Sequence, residues 1–194
     1  MTRKAVRGAR DTRELSLAFG AFVTAVAVVT TRTDDGVPHG AATAFTAVSL
    51  DPPLAQITLS RTSRSARYLT DAPFAINILS FEQMDVALHF NGEMLDEEPE
   101  WILEGNVPVL TRNAATLECR PWNIYDGGDH IIVVGEVIAM EITEREPFVF
   151  LGGHFQKIGR LPEGAPQRHH GGDPRSGWFA GSSSFRPLSD PNPQ

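Results

Sequence analysis

A single cysteine, Cys119, among 194 residues removes any internal disulfide from consideration. Its neighbours alternate in TLECR, which places it on a strand, and such sparing use of thiols fits a reducing cytoplasm. Basic charge is also scarce. Lys and Arg number 17 against 24 Asp and Glu, a formal net charge of −7, which argues against a phosphate-backbone binder, so no nucleic acid partner is expected. No run of about 18 apolar residues occurs, so no membrane span is expected either. Arg3, Lys4, Arg7 and Arg10 look like the start of an export signal, yet Asp11, Arg13 and Glu14 stand where its apolar stretch belongs. The chain has no G-x-G-x-x-G, which argues against a Rossmann dinucleotide fold, and no G-x-S-x-G nucleophile elbow. His169, His170 and Asp173 lack H-E-x-x-H spacing, so no metal site is expected.

What is present reads as one mainly β domain over residues 11–158, with a flexible start at 1–10 and a Gly, Pro and Ser-rich tail at 159–194. Asp11 and Glu14 have capping-box spacing, and Leu15, Phe19 and Phe22 make one face of an opening helix. Val23 to Thr31 is apolar on both parities and rich in β-branched residues, the pattern of a strand covered on two faces. Asp34, Asp35 and Gly36 then turn the chain into a second strand-like run, Val37 to Leu50. Asp51, Pro52 and Pro53 break it before Leu54 to Leu59. Ser65 to Thr70 is a short helix that must end before Pro73, and Phe74 to Leu79 is an apolar strand. Ser80 and Gln83 cap a helix reaching Phe90, with Met84 and Leu88 facing inward. Glu93 to Glu100 is an acidic loop. Ala114 to Tyr125 and Ile131 to Ile142 form a hairpin across Asp126 to Asp129. Consecutive hairpins without a βαβ rhythm predict an antiparallel barrel.

Two stretches carry chemistry. Arg61, Ser63 and Ser65 lie where a strand hands over to a helix; there, hydroxyls and guanidinium groups either receive a phosphate or simply cap a solvated turn. His130 follows a glycine-rich turn at the first position of a strand, where it either satisfies the hairpin or bonds a ligand's carboxamide or ring edge.

The ordered set AFVTAVAVVTT, DG, FTAVSLDPPL, LSRTSRS, FAINIL, PVL, LEC, DGGDHIIVVGEV and GGHF resembles the flavin reductase family, the small NAD(P)H:flavin oxidoreductases of two-component monooxygenases. The resemblance covers Glu14 to Phe155. It implies a split β-barrel of Greek-key, FMN-binding type with a few short helices, a homodimer holding FAD or FMN at the subunit interface, NADH or NADPH as co-substrate, and a separate monooxygenase that takes the reduced flavin. By position, it assigns Ala42, Thr43, Ala44 and Phe45 to the isoalloxazine lining, Ser63 and Ser65 to the flavin phosphate with Arg61 nearby, and Gly153 and Phe155 to the end of the last strand. His130 is the residue beside flavin and nicotinamide. Ala41 stands where Thr is common, His154 where Arg or Lys is common, and the acidic loop replaces a more basic segment. A non-catalytic flavin carrier, or a flavoenzyme with its own organic substrate, are the alternatives on the same fold.

Overall fold

The computed structural model describes residues 12–34, 36, 38–93 and 98–159. The start expected to be flexible, Asp11, Asp35, Val37, the middle of the acidic loop and the tail beyond Gly159, with its His169, His170 and aromatic residues, lie outside the described residues. Helix α1 (Thr12–Phe19) leads into β1 (Thr24–Ala25), β2 (Ala27–Arg32), β3 (Pro38–Leu50) and β4 (Pro53–Ser60). A 3-10 turn at Arg64–Arg67 precedes β5 (Phe74–Ile78), and a second at Phe81–Gln83 runs into α2 (Met84–Phe90). The short pair β6 (Trp101–Ile102) and β7 (Val109–Leu110) follows, then β8 (Ala115–Gly127), β9 (His130–Ile142), β10 (Phe148–Leu151) and β11 (His154–Lys157).

Six of these strands close into an antiparallel barrel in the order β2-β3-β4-β9-β8-β5, and β1, β10 and β11 make a small separate sheet. The barrel closes on the apolar side chains that each strand turns inward; β2 and β5 are buried on both faces. Ala55, Ile57 and Leu59 of β4 meet Val29 of β2, Phe74 and Ile76 of β5, Cys119 of β8 and Val133 of β9 in one core. Each large aliphatic or aromatic side chain so buried contributes about 1.5–3 kcal/mol. Gly135 is required where the Phe74 ring passes: a Cβ there would stand 2.5 Å from Phe74 Cζ and 2.9 Å from the Cys119 Cβ. Burial raises the Cys119 thiol to about 12, with Glu118 adding to the shift, so it is protonated and inert.

A second core joins Val28, Leu79, Val86, Ala87, Leu110 and Phe148 and seats α2 against the barrel. The expected capping box of Ser80 and Gln83 forms. The helix, however, buries Val86 and Ala87, whereas the predicted stripe of Met84 and Leu88 is half-buried. The 3-10 turn before the helix shifts the inward face by part of a turn. The opening helix also differs from its sequence pattern: α1 buries no residue, and Phe19 and Phe22 are exposed.

Polar groups inside the second core form a network that the apolar look of FAINIL conceals. Asn77 is fully buried; its Nδ2 donates to the Val28 carbonyl at 2.9 Å and to Thr30 Oγ1 at 2.9 Å. Its Oδ1 accepts from the Leu110 N–H and from Asn113 Nδ2, both at 2.9 Å. Thr30 in turn donates to the Pro108 carbonyl at 2.6 Å, so the segment carrying β7 hangs on the barrel through side chains. Among the described residues, no helix is long and apolar enough to cross a membrane.

Candidate functional site

β3 and β4 build the site because each has two different faces. Ala41 and Phe45 pack against the barrel core, whereas Ala42 and Ala44 are exposed on its outside. Thr58 and Ser60 sit on the matching outer face of β4, with Ala44 paired opposite Thr58. Together they wall a cleft of about 440 Å³, completed by β1, by Ala87 and Asn91 of the α2 end, by His130, and by Phe150 and Phe155. The cleft is a largely apolar slot with a few hydroxyls and one imidazole, which suits a planar heterocycle. Thr43 Oγ1 donates to the Thr58 carbonyl at 2.9 Å and so ties the two strands under the slot.

His130 reaches this cleft through register. It pairs with Ser60 on β4, and the turn before it is only Gly128 and Asp129, tighter than the turn of Asp126 to Asp129 that the sequence predicts. Gly128 takes φ +79°, a conformation that favours glycine. His130 Nδ1 lies 2.7 Å from Asp129 Oδ1. An ionised carboxylate can only accept, so Nδ1 carries the proton and Nε2 is left for a ligand. The same hydrogen bond holds the Asp129 carboxyl below the usual aspartate range.

A second cleft, of about 590 Å³, adjoins the first. His39, Gly40 and Ala41 continue β3 into it, Ser63 and Arg64 continue the turn after β4, and His89 and Phe90 continue α2. Phe90 lies flat enough on Gly40 that a Cβ there would meet its Cε1 at 2.5 Å. Ser63 occupies the position before the 3-10 turn, yet its side chain makes no capping bond. Arg64 has no carboxylate partner among the described residues. Burial, and after it the Arg64 guanidinium, lowers the His39 pKa. An uncommitted cation beside a free hydroxyl is a donor set that fits a phosphate.

The structure therefore brings Ala42, Thr43, Ala44, His130 and Phe155 to one cleft and Ser63 to the next. Other expected site residues lie elsewhere. Phe45 packs in the barrel core. Ser65 is turned inward at 1% exposure, its Oγ without a partner among the described residues. Gly153 lies in a different cleft, beside α1, and with Gly152 supplies the two positive φ values, +86° and +59°, of the β10–β11 turn. Arg61 is bonded to Asp126 near the end of β8 and to Gly128 of the β8–β9 turn. Sequence reading passed over Thr58, Ser60, Arg64, Asn91 and Phe150. The alternation of β4 carried a signal for the first two, because Thr58 and Ser60 interrupt Ile57 and Leu59 on the opposite parity.

An antiparallel closed barrel with this cleft on its outer face defines a small cofactor-handling protein without a nucleotide-binding α/β fold. Residues 19–159 match the family model described as "Flavin reductase like domain", and the chain belongs to the flavin reductase family. It is 36% identical over 158 residues to an NADH-dependent FMN reductase of Agrobacterium fabrum, spanning 80% of this chain and 91% of that protein. It is 41% identical over 151 residues to a stachydrine N-demethylase reductase subunit of Rhizobium meliloti, spanning 75% of this chain and 66% of that one. Among solved structures, an NADH:FAD oxidoreductase of Streptomyces globisporus in complex with NAD and FAD fragments superposes with a TM-score of 0.74 at 34% identity. That match covers 80% of this chain and 98% of the other.

Proposed function

We propose that this protein reduces a flavin with NADH and releases it to a separate monooxygenase component; its relatives include a protein named as an NADH-dependent FMN reductase and one named as the reductase component of a flavin-dependent trigonelline monooxygenase. It is a flavin oxidoreductase. The observation that carries the reading is the cleft outside the barrel: an apolar ring-sized slot with an oriented histidine at its lip, while a second cleft, lined by the residues that precede it on β3 and follow it after β4, offers an uncommitted arginine with a free hydroxyl. Nicotinamide and flavin supply the hydride chemistry between them. The chain's part is to bind and orient. Ala42 and Ala44 present only methyl groups, leaving a heterocycle room to lie against β3, and Arg64 with Ser63 suits the phosphate end. With Nδ1 bonded to Asp129, His130 offers Nε2 as an acceptor to a carboxamide N–H, which aligns the nicotinamide rather than protonating it.

The active form is a homodimer with the cleft at the subunit boundary. Support comes from β3 and the later half of β9, where Val48, Ile138, Met140 and Ile142 are 42%, 49%, 70% and 74% exposed. Exposed apolar side chains in such number are what a second subunit covers. A reducing cytoplasm suits the buried lone thiol.

Absorbance of NADH followed in air with added FMN or FAD tests the activity. Turnover many times the protein concentration is expected, because reduced flavin leaves and is reoxidised. NADH loss that stops at one equivalent per protein, or none at all, would overturn the reading. Comparing the four flavin and nucleotide pairs then sets the preference.

A further inference from the structure

Arg61 was expected near the flavin phosphate, yet nearly everything it does is directed at the turn that carries His130. Its Nη2 donates to Asp126 Oδ1 at 2.7 Å and its Nε to the Gly128 carbonyl at 2.7 Å. Its backbone N–H donates to the Asp129 carbonyl at 3.1 Å. Asp126 Oδ1 also accepts the Gly128 N–H at 2.8 Å, closing a ring of bonds across the turn. One side chain and one peptide group thus fix Asp126, Gly128 and Asp129, the residues immediately before His130. Asp129 in turn sets the imidazole. Two of the five guanidinium N–H groups and the backbone N–H are committed to the hairpin, so the orientation of the fork is set by the turn.

We infer that Arg61 is a positioning residue for His130, acting through the β8–β9 turn, and is not a phosphate contact; the inference rests on the functional reading of the His130 cleft given above. The clamp is exposed, with Arg61 and Asp126 side chains 46% and 80% accessible, so it adds little to global stability. Its effect is geometric. Small displacements of an orienting group cost rate steeply, on the order of 100-fold per ångström.

The test uses FMN and riboflavin, which share the ring and differ by the phosphate. Arg61→Met is expected to lower anaerobic flavin reduction about tenfold or more with both flavins alike. Flavin affinity, read by fluorescence quenching, should stay within about twofold, and the melting temperature within about 3 °C. Amide chemical shifts of Gly128, Asp129 and His130 should move together. Asp126→Asn should reproduce the loss in part, and Arg61→Met placed on His130→Ala should add less than about twofold, because both act through one group. Three results would overturn the inference: FMN affinity falling about tenfold while riboflavin is untouched, a full further loss on the His130→Ala background, or turn amides that do not move. Should the parent protein turn over no flavin, the functional reading falls, and the binding and chemical-shift arms still decide whether Arg61 holds the turn or a phosphate.

Discussion

Asn77→Ala should be among the most destabilising single changes in the barrel, and its size follows from the bonding. The side chain makes four hydrogen bonds in a place with no solvent: two donated, to Val28 and Thr30, and two accepted, from Leu110 and Asn113. Truncation does not orphan all four partners equally. Asn113 keeps a bond to the Leu110 carbonyl at 2.9 Å and Thr30 keeps its bond to Pro108, but the Leu110 N–H loses the acceptor that Asn77 provides. A buried donor left without an acceptor costs about 1–3 kcal/mol, and each neutral bond lost beyond that about 0.5–1 kcal/mol net. With three further bonds lost the total is about 4 kcal/mol, which for a domain of this size lowers the melting temperature by about 8–16 °C. Urea unfolding followed by tryptophan fluorescence and circular dichroism measures it, with the slope unchanged if both states keep their surface. Flavin reduction per folded molecule should be preserved, because Asn77 lines neither cleft. A loss below about 1 kcal/mol would refute the claim that the segment carrying β7 hangs on this amide.

His130→Ala should cut NADH-dependent flavin reduction by about 10- to 1,000-fold with flavin affinity and melting temperature nearly intact; anaerobic stopped-flow with a parallel melt checks it, and a parent-like rate removes His130 from the site. Gly135→Ala drives a methyl into the Phe74 ring and should destabilise by about 1–3 kcal/mol in chemical denaturation. Asp126 is acidified by the Gly128 N–H first and by Arg61 second, so its clamp is complete above the ordinary aspartate pKa and is lost as pH falls through the lowered value. A carboxyl NMR titration should show that depression and its partial return toward normal in Arg61→Met. An ordinary Asp126 pKa in the parent protein would contradict the clamp.

How far the sequence speaks depends on whether a signal is periodic. Strands whose inner parity is apolar announced themselves: the run Val23 to Thr31 lies buried from Val26, split into β1 and β2 where it passes from the small sheet to the barrel. The two glycine-bearing turns also gave their hairpins, because Gly36 and Gly128 take positive φ. The place of His130 at the head of β9 was legible too, although the turn before it is shorter than the sequence suggested. Arg61 and Arg64 could not be told apart, because both follow a strand end in RTSRS and only the fold decides which one meets Asp126, 65 residues away. Ser63 and Ser65 suffered likewise: the 3-10 turn sends one outward and buries the other. Asn77 resembled an accident in an apolar strand. Its partners, Leu110 and Asn113, come from a segment with no regular pattern, where no periodicity could mark them. The exposed stripe of α1 shows the reverse limit, since an amphipathic pattern states that a face wants cover and not what covers it.

The two-faced build of β3 and β4 has a practical consequence. Ala42, Ala44, Thr58 and Ser60 hang outside the barrel, while the residues between them, Phe45, Ile57 and Leu59, hold it shut. Specificity and foldability are therefore written on alternate letters of the same two strands. A combinatorial library confined to the outer letters would re-line the slot for altered isoalloxazines or for other flat heterocycles without disturbing the interior. The same number of changes on the inner letters would yield unfolded protein.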